Sequence, residues 1–371
     1  MIRTINISEL RGQRVALLLS GGVDSAVALH LAVEAGLNPD CFYIKIGPEE
    51  DSEWDCSSEE DLEMCHALVR RYGCAFEVVD CHRDYWDQVT RYTMDKVRTG
   101  LTPNPDVMCN RLVKFGAFDR KRGHDYDVIL TGHYACKAID DEGRHWLATS
   151  PDPVKDQTDF LAQIEGWQLQ KAFFPIGGMQ KETVRRIAEE HRLINAKRKD
   201  SQGICFLGRI DYNEYIRRYL GEQPGDIVEQ ETGRVIGQHR GLWFHTIGQR
   251  KGLGLGGGPW FVISKDIAGN RLMVSHGYDP ESVYVSRFGI RAFNFLTPGI
   301  GELPQRVLIK IRHTPEFHRA TLVCTADGCY FVETAAPLHG VAPGQFCVVY
   351  SEDTISPDSR ICYGSGEIYL L

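Results

Sequence analysis

Arg14-Val15-Ala16-Leu17-Leu18-Leu19, followed directly by Ser20-Gly21-Gly22-Val23-Asp24-Ser25, decides how this chain is read. The first six residues form a short apolar strand, and from Asp24 to Ala35 the positions Val27, His30 and Leu31 recur at helical spacing behind a capping residue, Asp24. Ser20 to Ser25 is therefore a strand-to-helix loop. Its glycines let the backbone approach phosphate oxygens, its serines offer hydroxyls, and the helix N-terminus supplies unpaired amides and about half a positive charge. The lysine of a GxxxxGK[ST] loop is missing and no Gly-Lys pair occurs in the chain, which excludes a kinase-like or GTPase-like loop. Asp24 would repel phosphate, so a Mg²⁺ ion between its carboxylate and a pyrophosphate is expected.

Outward from this loop the first 200 residues alternate strand and helix. Asp40 to Ile46, Phe76 to Val79 and Asp127 to Leu130 read as strands, and Glu59 to Tyr72 as a helix. That rhythm predicts a doubly wound parallel sheet. After about Phe206 the texture changes to short alternating runs, Trp260 to Ile263, Arg271 to Val274, Arg306 to Ile311, Ala320 to Cys324, Tyr330 to Glu333 and Phe346 to Tyr350, separated by Gly, Pro and Asp turns. The expected architecture is an α/β catalytic domain over 1–206, a small β-rich domain over 207–279 and a C-terminal β-barrel over 280–371. Gly252-Leu253-Gly254-Leu255-Gly256-Gly257 fits GxGxxG formally, but it follows no βαβ start, so it is read as a turn.

Composition narrows the class. With 371 residues, 43% of them hydrophobic, the chain can bury real cores, and no run approaches the roughly 18 apolar residues of a membrane span. The N-terminal residues lack a secretory pattern, so a cytoplasmic protein is expected. Twelve irregularly spaced cysteines with no Cys-x-x-Cys pair point to reduced thiols, most of them inert, rather than disulfides or structural zinc. A net charge of -8 argues against general nucleic-acid binding. However, Thr232 to Lys265 contains no acidic residue while holding Arg234, Arg240, Arg250, Lys251 and Lys265 with Trp243, Phe244, Trp260 and Phe261. Such a local basic and aromatic face suits selective binding of a polyanion.

Two cysteines stand apart from the rest, 96 positions from one another. Cys109 follows Asn104-Pro105-Asp106, which reads as a stiff turn rather than a core segment, with Arg111 and Lys114 near enough to lower its pKa. Cys205 follows the basic run Lys197-Arg198-Lys199 and a Ser-Gln-Gly turn. The loop Ser20 to Ser25 resembles those of the pyrophosphate-loop ATPases, which adenylate a carbonyl oxygen. Combined with Gly100 to Phe115, Thr131-Gly132-His133-Tyr134, Lys155-Asp156-Gln157, Lys199 to Phe206, His245 to Gly254 and Pro343-Gly344-Gln345, it makes the whole chain resemble the bacterial-type tRNA-specific 2-thiouridylases.

That resemblance implies a division of labour. Leu18, Leu19, Ser20, Gly21, Gly22, Val23, Asp24 and Ser25, with Ile44 and Gly132, would bind ATP, and the ATP would adenylate the 2-oxygen of the wobble uridine, position 34, in glutamate, glutamine and lysine tRNAs. Cys205 would carry persulfide sulfur from a donor protein, and Cys109 would be the nucleophile that completes transfer, leaving a disulfide for a reductant to reopen. Asn104, Pro105, Asp106, His133, Lys155, Asp156, Gln157, Arg312, His313 and Gln345 would touch tRNA, and the protein would be a monomer. Without the resemblance, His133 also reads as a core histidine, Gln345 as a turn residue, and Arg312 and His313 as strand surface. Three departures stand out: Ile44 in place of the usual methionine, a compact Gly256 to Pro259 turn, and Thr158-Asp159 in place of Ser-Tyr, where an extra carboxylate is expected to weaken contact with RNA. An amide-forming synthetase would not need the two cysteines, and a silent RNA-binding protein would not need the Ser20 to Ser25 loop. The 4-thiouridine synthetases carry an RNA-binding domain ahead of their ATP loop, for which residues 1–19 leave no room.

Overall fold

The structure is a computed structural model that describes residues 2–46, 58–199, 212–277, 284–298, 301, 303–356 and 359–371. Its first unit is the expected parallel sheet, in the order Phe76–Asp80, Asp40–Lys45, Val15–Leu18, Val128–Leu130, Ala172–Phe173. All four pairings are parallel. Strands buried on both faces need continuous apolar sequence, and Val15, Ala16 and Leu17 are 3% exposed or less. The chain order reverses between Val15–Leu18 and Val128–Leu130. Ligands of open α/β sheets bind outside the carboxyl ends of the strands at such a switch point, and both Ser20–Ser25 and Thr131–His133 emerge there.

Helix Val23–Glu34 starts one residue earlier than expected, and its N-cap is Gly22 with no side-chain cap bond, not Asp24. Asp24 lies in the first turn, because its side chain is drawn to tertiary partners instead of to the helix amides. Helices Ser58–Tyr72 and Lys181–Glu190 complete this unit, and neither they nor Val23–Glu34 reaches the length of a bilayer span. Among the described residues no helix is long and apolar enough to cross a membrane.

The central unit is a four-stranded sheet, Val235–His239, Gly225–Glu229, Arg271–His276 and Trp260–Asp266, over a small core of Ile227, Val262, Leu272 and Val274. Gly252 to Gly257 precedes the strand Trp260–Asp266, not a helix, which excludes a dinucleotide loop. Six further strands close into a barrel, since Phe346–Ser356 pairs with both Gln305–Lys310 and Ser359–Tyr369. Both domain boundaries expected from the sequence, near Leu207 and Asp279, fall outside the described residues.

One connection is not legible in local sequence pattern. The hairpin Ala135–Ile139 and His145–Thr149 leaves the parallel sheet and adds itself to the barrel, with Ile361 opposite Ala148 and Cys362 opposite Leu147. A hydrophobic cluster accordingly runs from Ile44 and Phe115 through Tyr215 and Leu296 to Leu308, Val348 and Tyr350. Between these walls sits a buried ion pair. Lys310 Nζ donates to Asp156 Oδ2 at 2.9 Å, and both side chains are 2% exposed. Thr158 Oγ1 also donates to Asp156 Oδ2 at 2.8 Å and lies 3.1 Å from the Tyr350 hydroxyl. Removing one member strands the other charge in a dry site. Asp156→Ala should therefore lower stability by about 3–5 kcal/mol, measured by chemical denaturation, whereas an exposed-pair variant such as Arg91→Ala should cost under about 1 kcal/mol.

Candidate ATP and thiol site

The loop is built by close backbone approach. Gly21 has φ +72, and a Cβ there would lie 2.8 Å from the Asp61 carbonyl oxygen, so only glycine fits. Asn195 Nδ2 donates to the carbonyls of Gly21 and Gly22, each at 2.9 Å, and Arg198 donates to Gly21 at 3.2 Å while pairing with Asp61 at 2.5 Å. Ser25 Oγ donates to the Gly22 carbonyl at 3.1 Å and accepts the Ser20 amide at 3.2 Å. With its carbonyls engaged by donors and its N-cap free of a side-chain acceptor, the loop keeps its helix-end amides for an anion. Leu19 and Ile44 are buried, at 2% and 4% exposed, while Leu18 is partly exposed. Gly132 packs on the loop itself, for a Cβ there would meet the Ser25 amide nitrogen at 2.8 Å.

The sequence suggested that a metal must answer the charge of Asp24. Here the counter-charge is Lys181, whose Nζ donates to Oδ1 at 2.7 Å and Oδ2 at 2.9 Å. The Tyr134 hydroxyl donates to Oδ1 at 2.8 Å. Lys181 opens the helix Lys181–Glu190, the wrong end of a helix dipole for a cation without a specific partner. Misplacement of that kind is the one signal by which the sequence hinted at a role for Lys181. A single carboxylate suits Mg²⁺, which takes most of its ligands from water and phosphates, so Asp24 fits such an ion once its bond to Lys181 is exchanged.

Cys109 is not at a turn. It ends the helix Pro105–Cys109 and is 1% exposed, within the main hydrophobic cluster. Pro105 occupies the first helical turn, where proline is tolerated, and Asn104 caps it by accepting the Val107 amide at 3.3 Å, so two residues expected to make a turn start a helix instead. Asp106, in that first turn, is half-buried. The helical run continues over Asn110–Ala117 as a wide π turn, and Gly116 suits it because a Cβ there would lie 2.8 Å from the Arg111 carbonyl oxygen. Arg111, expected beside the thiol, is held by Gln163 at 3.2 Å and Glu165 at 3.1 Å. Cys205 lies outside the described residues.

His133 links the two halves of the site. It is 8% exposed, and burial together with the nearby Lys114 ammonium holds its pKa well below the ordinary value, so the ring is neutral. Lys114 Nζ lies 3.4 Å from Nε2 and can only donate, which leaves the ring proton on Nδ1, 2.8 Å from the Thr131 hydroxyl. Gly132 touches the phosphate loop, and Lys114 is five residues beyond Cys109.

The other expected contacts divide into buried and accessible groups. Asp156 is fully engaged by Lys310, Thr158 and the Ser150 amide, which leaves it no free face for RNA. Gln157 pairs with the Tyr134 backbone in both directions, at 2.8 and 3.0 Å, and Lys155 beside it is half-buried. Arg312 and His313 are exposed. Asp159, expected to repel RNA, is 6% exposed and accepts from His313 at 2.9 Å, raising the histidine pKa. Gln345 Nε2 donates to the Thr102 and Pro103 carbonyls, each at 3.2 Å, and so holds the backbone leading to Asn104. Of the basic central face, Arg234, Arg240, Arg250 and Lys251 are exposed, but Lys265 is turned inward onto the Gly100 carbonyl at 3.1 Å and Phe261 is buried.

A glycine-cradled loop at the switch point of a parallel sheet, with a cysteine-bearing helix joined to it, defines an adenine-nucleotide enzyme of the HUP type. Residues 13–209 match the family described as tRNA methyl transferase HUP domain, residues 213–276 its PRC-barrel domain, and residues 285–368 an aminomethyltransferase beta-barrel domain. The chain is 55% identical to the tRNA-specific 2-thiouridylase MnmA 2 of Bacteroides fragilis over 95% of its own length and 99% of that protein. Against the corresponding protein of Parabacteroides distasonis identity is 53%, covering 95% and 98%. The chain belongs to the tRNA-specific 2-thiouridylase family. Among solved structures, the U34-tRNA thiolase NcsA of Methanococcus maripaludis overlays at a TM-score of 0.33 with 19% identity, over 49% of this chain and 58% of its own.

Two outcomes follow from this geometry. Asn195→Ala removes two hydrogen bonds from the loop, about 1–2 kcal/mol, so ATP binding measured by calorimetry should weaken roughly five- to thirtyfold. The raised pKa of His313 means that its pair with Asp159 contributes below the ordinary histidine pKa of about 6.5 and is lost as pH rises through the higher folded value. In Asp159→Asn the His313 pKa, followed by NMR, should fall toward that ordinary value; no change would show that the carboxylate does not set it.

Proposed function

We propose that this chain is an ATP-dependent tRNA-uridine 2-sulfurtransferase, and the observation that carries the reading is the Gly132–His133–Lys114 bridge between a phosphate loop and a cysteine-bearing helix. Family membership over 95% of the chain supports it. ATP occupies Leu18 to Ser25 with Ile44 and Gly132, and Asp24 would hold a Mg²⁺ ion, which would supply positive charge to offset that of the phosphates. The uridine 2-oxygen attacks the α-phosphorus, and pyrophosphate leaves. Adenylation converts an oxygen that would not depart into AMP.

Cys205 receives sulfur as a persulfide from a donor protein. Its terminal sulfur bonds to C2 of the uridine and Cys109 attacks the Cys205 sulfur, so the S–S bond of the persulfide breaks, AMP leaves and a Cys109–Cys205 disulfide remains for a thiol reductant. Burial of Cys109 in the free protein keeps that thiol from unproductive oxidation until substrate is bound. The proposed target is the wobble uridine of glutamate, glutamine and lysine tRNAs, and an anticodon base is extruded at low cost because its loop is single-stranded. Asn104, Pro105, Asp106, His133, Lys155 and Gln157 line the approach of that base, Arg312, His313 and the exposed central arginines meet the tRNA backbone, and Asp156 and Gln345 act by positioning. In this reading domains of 1–206, 207–279 and 280–371 work as a monomer in the cytoplasm.

Nucleosides digested from tRNA after incubation with enzyme, ATP, Mg²⁺ and a sulfur source should contain 2-thiouridine by mass spectrometry. Cys109→Ser and Cys205→Ser should each abolish it while sparing ATP binding. Persistence of 2-thiouridine in both variants would overturn the assignment.

A further inference from the structure

Outside the catalytic region, three metal-ligating side chains converge at the far ends of two helices. His30 and Glu34 are one turn apart on Val23–Glu34, and His191 caps the C-terminus of Lys181–Glu190. One ligand atom from each lies within 4.8 Å of the others. The rings of His30 and His191 are 3.9 Å apart between centroids, and His30 Nε2 is 3.2 Å from Glu34 Oε1.

His30 is 5% exposed, yet its Nε2 has no hydrogen-bond partner, because the nearby carboxylate is out of line with the ring. Its other nitrogen, Nδ1, is 3.0 Å from the Tyr72 hydroxyl, the kind of outer contact that fixes the tautomer of a metal-bound imidazole. A buried nitrogen without a hydrogen bond, 3.2 Å from a carboxylate and beside a second imidazole, is arranged to take a cation between them. We propose that His30, Glu34 and His191 bind a divalent first-row metal ion of the zinc class, with water completing the coordination.

Two imidazoles and one carboxylate with an open position match the preferences of Zn²⁺. Glu34 is 55% exposed at its side chain, which gives the ion a way in. The Arg71 guanidinium donates to the His191 and Arg192 carbonyls at 2.6 and 3.0 Å and is an unfavourable neighbour for a cation, but it also fixes the turn that presents His191. Arg192 has φ +49, a conformation that ordinary residues avoid and that this turn imposes.

The location suggests what the ion does. Asp24 lies in the first turn of one helix and Lys181 opens the other, and the two are bonded at 2.7 Å. His30, Glu34 and His191 join the opposite ends of the same two helices. A metal there clamps the pair that carries the phosphate loop and its lysine.

The test is titration of metal-free, reduced full-length protein with Co²⁺, followed by visible spectroscopy, with Zn²⁺ competition. One equivalent should bind with weak d–d bands and no thiolate-to-cobalt charge-transfer absorption, which separates this site from the cysteines. Tyr72→Phe should weaken binding about 10–100-fold, and His191→Ala at least as much. Absence of a tight equivalent, a thiolate spectrum, or unchanged affinity in His191→Ala would overturn the proposal.

Discussion

Everything at the thiol end of the site depends on how the backbone from Gly100 to Pro103 is gripped. Gln345 donates to two of its carbonyls from the barrel, the Thr102 amide donates to Pro343, and Lys265 donates to Gly100 from the central sheet. The fit is close on both sides: a Cβ on Gly344 would lie 2.9 Å from Thr102, and one on Gly100 would lie 2.5 Å from Ile267. Each hydrogen bond contributes about 1 kcal/mol on its own. Together they fix the register from which Asn104 starts the helix that ends at Cys109, so parts of the barrel and central sheet that carry no chemistry still aim the thiol. Lys265 is half-buried there, and burial moves its pKa down to about 8.

The second half of the design is the coupling of this segment to the nucleotide loop. Lys114, His133 and Gly132 form a short chain of contacts that ends on Ser25. The hairpin that begins just after His133 becomes part of the barrel sheet, and the Asp156–Lys310 pair is buried between the same walls. The thiol helix and the barrel share one hydrophobic cluster, and the loop meets the helix through Gly132, His133 and Lys114.

Much of this was legible in the sequence because it is local. Strand, glycine loop and helix at Val15 to Glu34 follow from periodicity and from the residues that tolerate close approach, and the β texture after Phe206 follows from alternation and turn residues. The pairings of polar groups over long sequence distances were not legible. Lys181 answers Asp24 across 157 positions, and Asp159 meets His313 across 154, which turned an expected repulsion into an ion pair. Cys109 was misread for a related reason. Its flanking residues have turn propensity, but tertiary packing made Asn104 and Pro105 a helix start and closed the cluster over the thiol.

In the proposed reaction Cys109 and Cys205 end bonded to each other, driven by adenylated tRNA. The most direct measurement is mass spectrometry of unreduced peptides after a single turnover of enzyme carrying persulfide sulfur. The expected product is a peptide joining Cys109 to Cys205, formed only when both ATP and tRNA are present and in step with 2-thiouridine. Formation of 2-thiouridine with both cysteines found as free thiols, in the absence of added reductant, would contradict it.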